Sequence, residues 1–129
     1  MEEKRNFYKT VSEICAKDTR YKSDSYEFVM QALYFTQNKL KRQGHISGRE
    51  LSIGLRDFAI ELYGPMAKAV LAHWGITKTE DFGNIVFNMI QNKVLSKTEE
   101  DSLDDFQNVF DFEAAFGNIF RSTPITEIS

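Results

Sequence analysis

Residues 74–95 read WGITKTEDFGNIVFNMIQNKVL. Gly75 follows one helical pattern and precedes another, and Thr77 and Glu80 stand at the spacing of a capping box. Phe82, Ile85, Val86, Met89 and Ile90 then follow the i, i+3, i+4, i+7, i+8 pattern of an amphipathic helix, the cleanest in the chain. A turn followed by such a helix is the grammar of a helix-turn-helix, whose second helix enters the DNA major groove. The acidic run TEEDSLDDF (98–106) follows within a few residues. Whether the stretch is a recognition helix or a core helix decides both the fold and the function to expect.

Upstream, Ser47-Gly48-Arg49-Glu50 is a capping box that opens a helix running to Tyr63, with Leu51, Leu55, Phe58 and Leu62 on one face. Ile53 and Ile60 line a second face, and Gly54 and Ala59 leave room for a close neighbour. Gly64 stands at the C′ position and Pro65 opens a short helix to Trp74, which makes a tight corner. Further upstream, helices are expected over Glu2 to Lys17 and Ser25 to Gln43, the latter capped by Ser23 or Asp24 and closed by Gly44. The second of these is apolar on two sides: Tyr26, Val29, Leu33, Thr36 and Leu40 make one stripe, and Phe28, Ala32 and Phe35 another. That pattern places it centrally. Downstream, VLSKT (94–98) and NVFDF (108–112) are strand-like and suggest a small hairpin around the polar segment between them. The expected fold is therefore mainly α, a helical domain with a C-terminal winged-helix-like unit of helix-turn-helix plus short β-hairpin. It divides as 1–44 for the N-terminal helices and 45–113 for the winged-helix-like unit, within one domain over 1–120. Residues 121–129 are expected to form a flexible tail.

At 129 residues with 42% hydrophobic and 13% aromatic content, the chain has enough apolar material for one core without metal or disulfide staples. Its single cysteine, Cys15, excludes an intramolecular disulfide and fits a reducing compartment. The start MEEKRNFYK is charged and no stretch approaches membrane-spanning length, so a cytoplasmic protein without membrane contact is expected. The net charge of −3 is unevenly placed: residues 1–60 carry 11 basic and 8 acidic side chains, and residues 61–129 carry 5 and 11. The half that would read DNA is the acidic one.

The run from His45 to Phe112 resembles a family of small uncharacterised bacterial proteins known mainly from planctomycete and verrucomicrobial genomes. SGREL (47–51), YGPMAKAVLAHWGI (63–76), TEDFGNIVFN (79–88) and LSKTEEDSLDDF (95–106) carry the resemblance, and SYEFVMQALYFT (25–36) fits it. It implies a shared fold and brings no activity, cofactor or site residue with it.

The chemistry-bearing residues are then few. Opposite Phe82, the fifth helix presents Glu80, Asn84, Phe87, Asn88 and Gln91. Asn84, Asn88 and Gln91 carry the amides that pair with adenine edges, and Lys78, Lys93 and Lys97 the charges that hold phosphates. No arginine lies between residues 57 and 120, however, and Glu80, Asp81 and the acidic run oppose phosphate binding. The favoured expectation is a solvated polar face on a core helix. Phe87, about 140° from Phe82 on the helix, suits a protein contact made with Asn84, Asn88 and Gln91. Glu99, Glu100, Asp101, Asp104 and Asp105 lack the spacing of an EF-hand loop, and His45 and His73 lack metal-ligand spacing, so no metal is expected. No phosphate-cradling glycine loop or nucleophile elbow is present, and no cofactor is expected. Cys15 falls on an apolar face, and Arg56 is expected to pair with a carboxylate from another helix. A non-enzymatic protein-interaction module, with self-association as one form of that contact, is the functional expectation; a winged-helix DNA-binding regulator is the alternative.

Overall fold

The computed structural model describes residues 2–95 and 103–117, with side chains from residue 6 onward. Six α-helices follow one another: α1 (Glu2–Lys17), α2 (Ser23–Leu40), α3 (Gly48–Tyr63), α4 (Ala67–His73), α5 (Thr79–Gln91) and α6 (Phe112–Phe116). Two 3₁₀ turns, Gly64–Met66 and Leu103–Phe106, complete the order. There is no strand among the described residues.

α2 lies at the centre. It packs on α3 and α5, and α1 covers both α2 and α5. Tyr26, Phe28, Val29, Ala32 and Thr36 of α2 are buried, as its two apolar stripes require. Leu40 closes the helix and is exposed instead, and Leu62 near the end of α3 is exposed likewise. α2 ends at Leu40 and not at Gln43, because Lys41 takes the left-handed C-cap conformation at φ 54° and its amide donates to the Asn38 carbonyl. The α2–α3 contact is close. Thr36 donates to the Ala32 carbonyl at 2.7 Å and fills the space that Gly54 leaves open on α3.

The capping box at the start of α3 is formed in both directions. Glu50 N donates to Ser47 Oγ at 3.1 Å and Ser47 N to Glu50 Oε1 at 3.0 Å. Gly64 ends α3 at φ 50°, ψ −128°, a conformation that side chains disfavour, and Pro65 follows in the 3₁₀ turn. At the next corner Gly75 has φ 96°. A β-carbon there would lie 2.1 Å from the Arg20 carbonyl oxygen, because the α1–α2 connector crosses directly over it. Lys22 N donates to the Trp74 carbonyl at 3.1 Å on the same crossing. The α4–α5 corner is thus roofed by the α1–α2 connector.

The expected hairpin is corrected by the structure. Val94 and Leu95 form a bend, and residues 96–98 of the first arm lie outside the described residues, as do Glu99, Glu100 and Asp101 and the tail 121–129. The second arm, 108–112, is a turn that leads into α6. Its backbone bonds to side chains and not to a strand: Asn108 N donates to Glu80 Oε2 and Val109 N to Thr79 Oγ1 at 3.1 Å. Asp111 caps α6 by accepting from Ala114 N at 2.9 Å. Phe82, Phe110, Phe112 and Phe116 pack ring on ring, with Phe110 and Phe112 stacked at 5.4 Å. The apolar alternation in NVFDF records an aromatic cluster. Phe106 is seated between α3 and α5, where Gly48 and Gly83 leave its ring room.

Candidate functional site

The outer face of α5 faces protein along much of its length. The α1–α2 connector lies over it, and a polar network joins the two. Tyr21 is buried, and its hydroxyl donates to Asp81 Oδ1 at 2.6 Å while accepting from Asn84 Nδ2 at 2.9 Å. Asn88 Nδ2 donates to Asp18 Oδ2 at 2.9 Å and to Tyr26 Oη at 3.0 Å. Asp18 in turn holds Arg20 through two side-chain bonds of 2.9 and 2.7 Å. Asp81, only 8% exposed, also caps α5: its Oδ2 accepts from Thr77 N at 2.9 Å and from Lys78 N at 3.2 Å. The expected Thr77–Glu80 box is therefore displaced by one residue. Asp81 reaches back, Lys78 takes the N-cap position, and Glu80 is directed to the C-terminal segment.

Electrostatics follow the contacts. The Arg20 guanidinium, aided by the Asn88 amide, holds Asp18 well below the usual carboxylate range, and Asp18 raises Arg20 in return. Burial pushes the Tyr21 phenol well above its usual value, and its bond to Asp81 adds to the rise. Tyr26 is raised by burial as well. No buried side-chain nitrogen or oxygen among the described residues lacks a hydrogen-bond partner. A saturated network of this kind fixes the docking of α1 and α2 on α5.

Of the residues singled out on α5, Asn84 and Asn88 have their amides turned inward, and Phe87 is half-buried against the core. The expected solvated face is thus corrected over most of its length, because the connector from Asp18 to Lys22 occupies it. Gln91 and Lys78 are exposed. Lys93 is exposed at φ 63°, and Lys97 lies outside the described residues. Asp104 and Asp105 stand in the second 3₁₀ turn. Among the described residues no group of three or more His, Cys, Asp or Glu is placed to hold a metal ion. Cys15 is half-buried with its thiol 3.8 Å from the Tyr21 carbonyl, and burial raises its pKa, which makes it a poor nucleophile at neutral pH. Among the described residues Arg56 pairs with its own neighbour Asp57 at 2.9 Å, not with another helix's carboxylate; Lys39 of α2 takes the second Asp57 oxygen at 3.0 Å. Burial raises Asp57, and the two cations outweigh it, so its pKa is lowered on balance.

A groove of about 490 Å³ lies open to solvent between α1, α2 and the turn that follows α5. Phe7, Tyr8, Met30, Tyr34, Asn92 and Val94 line it. Tyr8 is 45% exposed and Tyr34 61% exposed, and Tyr8 Oη donates to Glu27 Oε1 at 3.2 Å. No single periodicity marked this groove in the sequence, because its wall comes from three elements. The exposed tyrosines, set off the buried stripes of α1 and α2, were the available signal. No helix of the described residues is long and apolar enough to cross a membrane. The chain matches no protein-family model, no curated protein and no solved structure.

Proposed function

We propose that this chain is a cytoplasmic, non-enzymatic protein-interaction module that receives a partner in the groove between α1, α2 and the turn that follows α5. The groove carries the reading: it is open along one side, apolar at its floor, and flanked by two exposed tyrosines. Tyrosines of this kind supply large contact area at small entropic cost and are enriched in protein interfaces. Because it is open to solvent along its length and not enclosed, a peptide or helix edge is the occupant proposed for it. The alternative, a DNA-binding regulator reading bases with α5, would require the Asn84 and Asn88 amides to leave Tyr21, Tyr26 and Asp18. The groove asks for no such rearrangement.

The test compares wild-type protein with Tyr8→Ala, both immobilised against cell extract, with sedimentation run in parallel to detect self-association. A partner, or a second copy, held by the wild type and weakened roughly tenfold or more by Tyr8→Ala is expected for a central aromatic contact. Identical capture by both proteins, with both sedimenting as monomers, overturns the reading.

A further inference from the structure

The sequence divides its charge so that the basic excess lies in residues 1–60. The structure gathers part of that excess at one corner, between the end of α2 and the start of α3. A depression of about 640 Å³ there is lined by Tyr34, Gln37, Asn38, Lys41, Arg42 and Gln43. No carboxylate is among these residues. Tyr34 and Asn38 stand at i and i+4 on α2 and Lys41 follows at its C-cap, all three exposed. Gln37 Nε2 donates to the Gln43 and Gly44 carbonyls, which holds the loop against the helix end and shapes the depression. Arg42 Nη1 pairs with Glu50 at 2.8 Å, which leaves most of its five donors for another partner. Lys41 and Arg49 form no ion pair among the described residues, and Arg49 stands beside Glu50 in the first turn of α3.

We propose that this corner binds a single-stranded nucleic acid, with a base stacked on Tyr34 and phosphates held by Lys41, Arg42 and Arg49. An exposed ring, a row of amides and a few cations, of which Arg42 alone is paired with a carboxylate among the described residues, are the elements of a single-strand platform. Asn38 supplies the planar hydrogen-bonding group that reads a base edge beside the stacked ring. A phosphorylated peptide would use the cations and leave the tyrosine face idle, so the strand accounts for more of the surface. The site differs from the α5 face considered above, and it lies beyond the groove reading, with Tyr34 as the shared wall.

The test is fluorescence anisotropy of the full chain with a labelled 12-nucleotide oligo-uridylate, from about 20 mM salt upward. Micromolar binding is expected, with a log–log salt slope of about −2 set by about three phosphate contacts on a single strand. Tyr34→Ala lowers affinity about tenfold and leaves the slope unchanged. Lys41→Asn, chosen because asparagine tolerates the left-handed conformation of this position, reduces the slope by about 0.7. Arg49→Gln reduces it similarly, and Tyr8→Ala leaves the strand affinity within about twofold, which separates this site from the groove. Arg49→Gln changes an exposed side chain and Tyr34→Ala one that is 61% exposed, so their melting curves should stay close to the wild type. Absence of saturable binding at low salt overturns the proposal, as does a Tyr34→Ala protein that binds as tightly as wild type. A phosphorylated peptide that competes as well as the oligonucleotide overturns it too.

Discussion

Tyr21 is the residue on which the N-terminal helices are hung. It comes from a connector whose local sequence, DTRYKSD, carries no apolar periodicity, and yet it is buried with a donor and an acceptor bond across 60 or more residues of chain. Replacing it with phenylalanine keeps the ring and removes the hydroxyl. Asp81 then loses a buried donor and Asn84 a buried acceptor, and leaving such groups unpaired costs about 1–3 kcal/mol. Tyr21→Phe is therefore expected to lower the unfolding free energy by that amount, moving the urea midpoint down without changing the slope of the transition, which equilibrium unfolding followed by circular dichroism measures. A midpoint within error of wild type would show that water replaces the hydroxyl freely. The same residue explains why the outer face of α5 was misread from the sequence alone. Asn84 and Asn88 look like solvated positions by helical phase, and only their distant partners Tyr21, Tyr26 and Asp18 make them interior. Nothing within α5 announces those partners.

At the scale of elements, what was legible was whatever is decided locally. The bounds of α1, the capping box of α3, the Gly64–Pro65 corner and the apolar stripe of α5 all follow from residues within a turn of one another, and they appear as read. The C-terminal segment was not legible, since alternating phenylalanines fit either a strand or an aromatic cluster, and the choice depends on Phe82 in another helix. Phe106 shows how that segment is fastened. A β-carbon at Gly83 would lie 2.9 Å from Phe106 Cβ and 3.0 Å from its ring, so the second 3₁₀ turn docks on α5 only because position 83 has no side chain. Alanine is the better helix former by up to about 1 kcal/mol, while overpacking a filled site costs about 1–3 kcal/mol. The β-carbon clash makes the upper part of the steric range apply, and Gly83→Ala is expected to destabilise by up to about 2 kcal/mol on that difference. Gly44→Ala is the control: nothing lies within 4 Å of its β-carbon position, and it should stay close to wild type in thermal melts. Equal melting temperatures for the two variants would mean that the C-terminal segment does not pack on α5 in solution.

Over the whole molecule, three lowered carboxylates and a set of raised phenols, Tyr21 and Tyr26 the most buried of them, give stability a plateau with two edges. Arg20 lowers Asp18, Arg42 lowers Glu50, and Lys39 with Arg56 outweighs burial at Asp57. These side chains tie the α1–α2 connector, the α2–α3 corner and the α2–α3 interface in turn. Because each folded pKa lies below its unfolded value of about 4, the stability they contribute is complete above that value and is lost as the pH falls through the folded one. Tyr21 and Tyr26 act in the opposite sense. Burial, with Asp81 beside Tyr21, raises their folded pKa above the unfolded value of about 10, so their contribution is complete below that value and is lost as the pH rises beyond it. Urea midpoints measured from acid to alkali should therefore be flat from about pH 5 to 9 and fall on both sides. Asp18→Asn lowers the plateau, because Arg20 loses its charge partner, and makes the acid edge shallower by removing one titrating group. Tyr21→Phe does the same at the alkaline edge and leaves the acid edge alone. The two variants thus act on opposite edges of the profile, an assignment that a general charge effect cannot imitate. An acid edge equally steep with and without the Asp18 carboxylate would show that its ion pair with Arg20 contributes nothing to folding.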